Sequence, residues 1–176
     1  LTEVMVNGAE RPRLGNAVFG QYGQDFTSSD GVGFMVVALT PRHFRDLTEL
    51  TGTTKAVAAV ADALGADFSD EGQRYQHRDL LTGLFAAWFR THAAEAVAAA
   101  LGATSVLWER YQSFAEVAAS PRVSANPLFA PLDQPRIGTY PAPGLPMSVD
   151  GVHTPAAAAP ALGQDNDTLP AEWLGR

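Results

Sequence analysis

These 176 residues predict a mostly helical α+β fold with one β-hairpin, on three observations. Apolar residues recur at helical spacing through Phe44, Leu47 and Leu50, and again through Leu80, Leu81, Leu84, Phe85, Trp88 and Phe89. The most β-prone run, Phe34-Met35-Val36-Val37-Ala38, follows the turn dipeptide Asp30-Gly31. Threonine, proline and glycine stand where helices start and stop.

Residues 1–24 read as an irregular loop, because Pro12 and the glycines at 8, 15, 20 and 23 interrupt every helical run. Asp25 to Ala38 reads as the hairpin, its second strand apolar on both faces and so expected to be covered on both. Thr40 caps the next helix and Pro41 suits its first position; Gly52 ends it. Thr53 or Thr54 opens a second helix that stops at Gly65. A third helix is expected over Asp70 to Arg90. Thr91 is then expected to cap an alanine-rich helix closing at Leu101-Gly102. Beyond it, Ser105 to Trp108 reads as a short strand, and Ser113-Phe114-Ala115-Glu116 is a capping box opening a helix that ends before Pro121. From Pro121 to Pro160 lie nine of the 12 prolines, among short extended pieces such as Ile137 to Tyr140 and Met147 to Val149. A segment of that composition buries little surface alone and is expected to lie over a larger body. Pro155 to Pro160 reads as a surface connector.

A formal net charge of -7, with no basic run, offers phosphates nothing to pair with, which argues against nucleic acid and anionic membranes as partners. The longest mainly apolar stretch, Ala93 to Leu101, is too short to span a bilayer. No cysteine excludes disulfides, thiolate zinc sites and a cysteine nucleophile, and accords with a reducing, cytoplasmic location. The opening stretch has no signal-peptide pattern. A start at Leu1, with the first Met at position 5, leads us to expect a piece of a longer chain. His43, His77, His92 and His153 share no metal-ligand spacing, so no metal site is expected; His43 reads as a solvated surface residue. Asp25 and Asp30 make an unconvincing acid/base pair, since Asp30 belongs to the turn and should be solvated. Trp88, Phe89 and Trp108 read as core. The string Gly15-Asn16-Ala17-Val18-Phe19-Gly20-Gln21-Tyr22-Gly23 is different: three glycines among amide and aromatic side chains allow a ligand close to the backbone. It serves equally well as a turn-rich linker. It is neither a P-loop nor a dinucleotide fingerprint, and the residues by themselves reveal no catalytic group.

Gly15-Asn16 through Tyr22-Gly23, Asp25-Phe26-Thr27 with Asp30-Gly31, Met35 through Pro41, and Phe44-Arg45 with Leu47 together resemble the class III CoA transferases. That family includes formyl-CoA transferase, carnitine CoA-transferase and α-methylacyl-CoA racemase. Phe114-Ala115-Glu116-Val117 followed by Ser120 to Val123, Pro135 to Gly138, and Pro143 to Pro146 carry the likeness onward. Leu162-Gly163-Gln164 with Asp167 and Leu169 resembles the closing motif, with Asp165 where the family carries His. The wording of Asn16 to Gly23 and of Met35 to Thr40 is most similar to members that move CoA between the two carboxylates of one molecule.

The resemblance implies an α/β protein forming an interlocked homodimer, with a Rossmann-like large domain built from both chain ends and a small domain between them. Residues 1–14 would then be the linker, 15–102 the small domain and 103–176 the returning part of the large domain. The implied chemistry uses an aspartate nucleophile on an acyl-CoA thioester, giving a mixed anhydride and then an enzyme–CoA thioester, from which CoA passes to the receiving carboxylate. CoA is part of the substrate, and no separate cofactor is implied. The nucleophile would lie upstream of Gly15, outside this sequence, leaving the chain inactive by itself. What the chain would contribute is the substrate-facing loop, through Asn16, Phe19, Gly20, Gln21, Tyr22 and Gly23. Glycine N–H groups would approach a developing oxyanion there while Phe19 and Tyr22 keep water from the anhydride. Competing readings are intermolecular CoA transfer, racemisation, and a non-catalytic interaction module or half of a split enzyme.

Overall fold

A computed structural model describes residues 1–167 and Trp173, so Leu169 of the closing motif lies outside the described residues. The chain divides into two units, Leu1–Tyr111 and Gln112–Arg176. Both mix helices with antiparallel strands, the α+β character expected.

In the first unit, β1 (Tyr22–Thr27) and β2 (Gly33–Ala38) form the predicted hairpin, with Tyr22 opposite Ala38 and Thr27 opposite Gly33. The first strand starts three residues earlier than expected because the Tyr22 side chain has a place in the core, between the rings of Phe44 and Phe85. On the far edge of β2 lies β3 (Leu107–Arg110), giving the order β1-β2-β3. This strand is displaced from the expected 105–108, since Asp46 accepts hydrogen bonds from Ser105 N–H (2.9 Å) and Oγ (2.5 Å) and keeps Ser105 off the ladder. Strand alternation turns Phe34, Val36 and Ala38 to the helices, where they are buried. Met35 and Val37, on the opposite face, are only half-buried, less than the expected cover on both sides.

Helix α1 (Thr2–Asn7) occupies part of the stretch expected to be loop. Its six residues precede the first glycine, so no breaker opposes one short turn of helix. Thr40 Oγ1 accepts from His43 N–H and opens α2 (Pro41–Leu50), as predicted. The neighbouring α3 (Thr54–Leu64) ends at Gly65. The single helix expected over 70–90 is two, α4 (Glu71–Gln76) and α5 (Arg78–Thr91), broken at His77. Arg74 explains the break. Its wholly buried guanidinium donates to the carbonyls of Phe68, Ser69 and Leu39, pinning α4 to the end of β2, while α5 follows its own axis to bury Leu81, Phe85 and Phe89.

Thr91 does not cap α6 (Ala94–Gly102). Its hydroxyl donates back to Trp88 O (2.8 Å) at the end of α5, and the Ala94 N–H is met instead by Asp30 Oδ1 at 3.0 Å. Asp30 is exposed, as expected of a turn residue, and its carboxylate also ties the hairpin tip to α6 while accepting from Ser28 Oγ; these bonds hold its carboxyl below the usual range. The core joins Tyr22, Phe26, Phe34, Phe44, Phe85 and Phe89 with Leu47, Leu81, Val97 and Leu101. Each fully buried side chain of this size contributes roughly 1.5–3 kcal/mol of transfer free energy. Trp88 and Trp108 pack against it from partly buried positions.

In the second unit, the capping box forms as predicted at the start of α7 (Phe114–Ala119), with Ser113 Oγ accepting from Glu116 N–H and Glu116 accepting from Ser113 N–H. A single turn, α8 (Pro121–Ser124), follows. Two hairpins come next: β4 (Phe129–Gln134) with β5 (Gly138–Pro143), and β6 (Ser148–Val149) with β7 (Val152–His153). The Ala-Pro stretch is more than a connector, because both ends of the Gln134 amide bond to the backbone of Ala159 (2.8 and 3.3 Å). Among the described residues of this unit, Ala142 is the one hydrophobic side chain that is buried.

Candidate functional site

The glycine string folds back along the start of β1. Ala17 N–H donates to Leu14 O (3.2 Å) and Val18 N–H to Gly23 O (3.0 Å), while Asn16 Nδ2 donates to Asp25 Oδ2 at 3.2 Å. Gly20 sits at φ +76, a conformation that favours glycine, and lets the loop turn toward the strand. Gly23 answers a different need. A Cβ there would lie 2.5 Å from Val18 Cγ2 and 3.2 Å from Val37 Cγ2, so the bare backbone makes room for Val18 over the sheet.

The six candidate residues separate by depth. Asn16 is exposed, and Phe19 is 40% exposed with the Arg11 guanidinium 3.8 Å above its ring centroid. Gly20 is half-buried beside it. The Gln21 amide oxygen is buried with no hydrogen-bond partner among the described residues. Tyr22 is fully buried, its hydroxyl 3.1 Å from Thr82 Oγ1, and burial drives its phenol pKa far up. Together with Gly23 it anchors the loop from inside. Neither faces solvent, which a strand-period reading of Tyr22 and Phe26 would have signalled. His43, read as solvated, is half-buried, with Nδ1 shielded and unpartnered among the described residues.

Sequence reasoning missed the surroundings of Phe19. Its ring meets Tyr75 edge-on at 5.3 Å, and Arg78 lies 4.7 Å over the Tyr75 ring, so two guanidiniums and two rings form one continuous chain of contacts. They line a cleft of about 440 Å³, within the range of small-molecule sites. Glu3 pairs with Arg11 at 2.5 Å; the contact lowers the pKa of Glu3 and raises that of Arg11. The i, i+3 spacing of Tyr75 and Arg78 hints at their pairing. Nothing local points to Arg11, whose partners come from elsewhere in the unit. Among the described residues no three His, Asp or Glu side chains are grouped to hold a metal, and no helix is long and apolar enough to cross a membrane.

The model of CoA-transferase family III matches residues 1–166, and the chain belongs to that family. Its likeness to 2-methylfumaryl-CoA isomerase of Chloroflexus aurantiacus runs at 36% identity over 178 residues, covering 99% of this chain and 44% of the isomerase. The chain thus spans less than half the length of that curated relative. A crystal structure of a CaiB/BaiF family protein from Brucella suis aligns over 97% of this chain and 43% of its own, with TM-score 0.66 and 20% identity. A mutant protein of Mycobacterium tuberculosis aligns over 99% of this chain and 42% of its own, with TM-score 0.65 and 18% identity. At those identities the two structures speak to the fold alone, and they share it. The class III CoA-transferase resemblance read from the residues is therefore correct.

Proposed function

We propose that this chain is part of an enzyme that moves CoA within one molecule, converting 2-methylfumaryl-CoA (mesaconyl-C1-CoA) into 3-methylfumaryl-CoA (mesaconyl-C4-CoA). The observation that carries the reading is the 36% identity with the isomerase along nearly the whole chain. In this reading the complete enzyme is a cytoplasmic homodimer, residues 15–102 belong to its small domain, and 103–176 return to its large domain with β3 lent to the small-domain sheet. The acyl-accepting aspartate belongs to the part of the family chain that these residues do not contain. CoA enters and leaves as part of the substrate. Asn16, Phe19, Gly20 and Gln21 form the substrate-facing side of the loop, and Tyr22 and Gly23 hold it in place. The loop serves by excluding water from a hydrolysable anhydride and by offering backbone N–H groups to developing negative charge.

The test is to incubate the enzyme at full family length with mesaconyl-C1-CoA alone, and in parallel with isotope-labelled free mesaconate. The C4 thioester is expected to form without an added acceptor and to carry no label. A requirement for free acid would make the enzyme an intermolecular transferase, and exchange of the α-proton of a saturated 2-methylacyl-CoA, supplied in a separate incubation, with solvent would make it a racemase.

A further inference from the structure

We propose that Arg78, stacked on Tyr75 beside Phe19, is the specificity-determining residue that binds the free carboxylate of the acyl chain, the end that is to receive CoA. This rests on the reading that the Phe19 loop faces substrate. The two cations of the cleft differ in how far their own side chains are already engaged. The Arg11 guanidinium lies over Phe19 and is committed to Glu3 at 2.5 Å. Arg78 is committed far less. Its Nη1 donates to Tyr75 O at 3.0 Å, and Nε lies 3.7 Å from Asp79 Oδ1, whose side chain is 91% exposed and shared with water. Nη2 has no protein partner among the described residues. The contact with the Tyr75 ring, 4.7 Å from Arg78 Cζ to the centroid, and the bond to Tyr75 O restrain the guanidinium, so less side-chain freedom remains to be lost when a carboxylate docks on it.

The rest of the cleft suits an unsaturated dicarboxylic acyl group. Phe19 and Tyr75 offer ring surface for the planar methyl-substituted alkene, and a guanidinium at one end offers charge-assisted hydrogen bonds to a carboxylate. Glu10 also lines the cleft and opposes an anion there, which makes it an internal control. A monocarboxylic acyl-CoA has no group for Arg78 to bind. The residue would therefore select substrates that carry their own acceptor, which intramolecular transfer requires.

The test has two arms. In the first, the 176-residue chain is titrated with monomethyl 2-methylfumarate, whose ester stands in for the thioester, and with the dimethyl ester, while NMR follows Arg78 Nε–Hε and the Phe19 and Tyr75 rings. The monoester is expected to shift all three saturably and the diester none. Arg78→Gln should weaken the monoester at least tenfold with the fold unchanged, Arg78→Lys should fall between, and Glu10→Gln should tighten it. Equal response to both esters, or unaltered binding to Arg78→Gln, would overturn the proposal. In the second arm, Arg78→Gln in the full-length enzyme is expected to cut kcat/KM for mesaconyl-CoA tenfold or more, chiefly through KM, while leaving unchanged the inhibition constant of a monocarboxylic acyl-CoA used as a competitive inhibitor. An equal weakening of that inhibitor would also overturn it. Absence of isomerisation by the unsubstituted enzyme would defeat the functional reading instead, and the first arm would still decide the role of Arg78.

Discussion

Residues 1–111 and 112–176 solve the folding problem differently. The first unit gathers sixteen buried hydrophobic side chains into one cluster between a three-stranded sheet and its helices. The second has well-formed local structure, including a complete capping box and two hairpins, yet leaves Phe114, Ile137, Met147, Val149 and Val152 between 70% and 96% exposed. Two-stranded hairpins are marginal in water without an apolar face to cover. Hydrogen bonds thus specify the shape of the second unit, whereas burial can stabilise only the first. The contrast fits a segment that belongs against a larger body, the place proposed for it in the full-length enzyme.

The largest effect expected is on the core. Phe85→Ala removes a fully buried ring that touches Tyr22 and Phe44, and should cost about 3–5 kcal/mol in guanidinium unfolding followed by circular dichroism. Phe114→Ala, at 96% exposure, should change the same transition by no more than about 0.5 kcal/mol. Comparable losses would break the distinction between the units. Next comes Gly23→Ala, whose methyl collides with Val18; it should cost roughly 1–3 kcal/mol and displace the loop, and Val18→Ala in the same chain should restore much of the loss. A double mutant no better than the single would mean that Val18 is not what requires glycine there. Ser113→Ala should cost about 1 kcal/mol locally, seen as faster amide exchange in α7 with the first unit unmoved. Spread of the change into α5 would show that the two units are coupled.

The smallest effect is a pH dependence. Ser105 Oγ and N–H hold the Asp46 carboxyl below its usual pKa, so the bond adds stability above the unfolded value of about 4 and loses it as pH falls through the folded value. Asp46→Asn should therefore be less stable than the unsubstituted chain at pH 7, with the gap closing below pH 4. A gap that stays constant from pH 7 to pH 3 would assign the effect to something other than this carboxylate.

What could be read along the chain were features whose cause lies within a few residues. Thr40 with Pro41, Gly65 and the Ser113-Glu116 box each act through backbone groups at most four positions away, so sequence alone located them. The family signature was legible for a related reason, because it is carried by residue identities in short segments. Where sequence reading erred, the deciding partner was distant. Ala94 takes its cap from Asp30, 64 residues earlier, Ser105 is held off the ladder by Asp46, and Arg74 reaches Leu39 to split an otherwise continuous helix. The candidate site divided in the same way. The glycine string itself announced a loop, but only packing sent Tyr22 inward, left Phe19 at the surface, and brought Arg11, Tyr75 and Arg78 around it. Local propensity and pattern thus set most helix ends and the hairpin, and residue identities the family, whereas the helix break at His77 and the choice of side chains that share a cleft depended on burial competing for the same residues across the fold, and that competition is settled only in three dimensions.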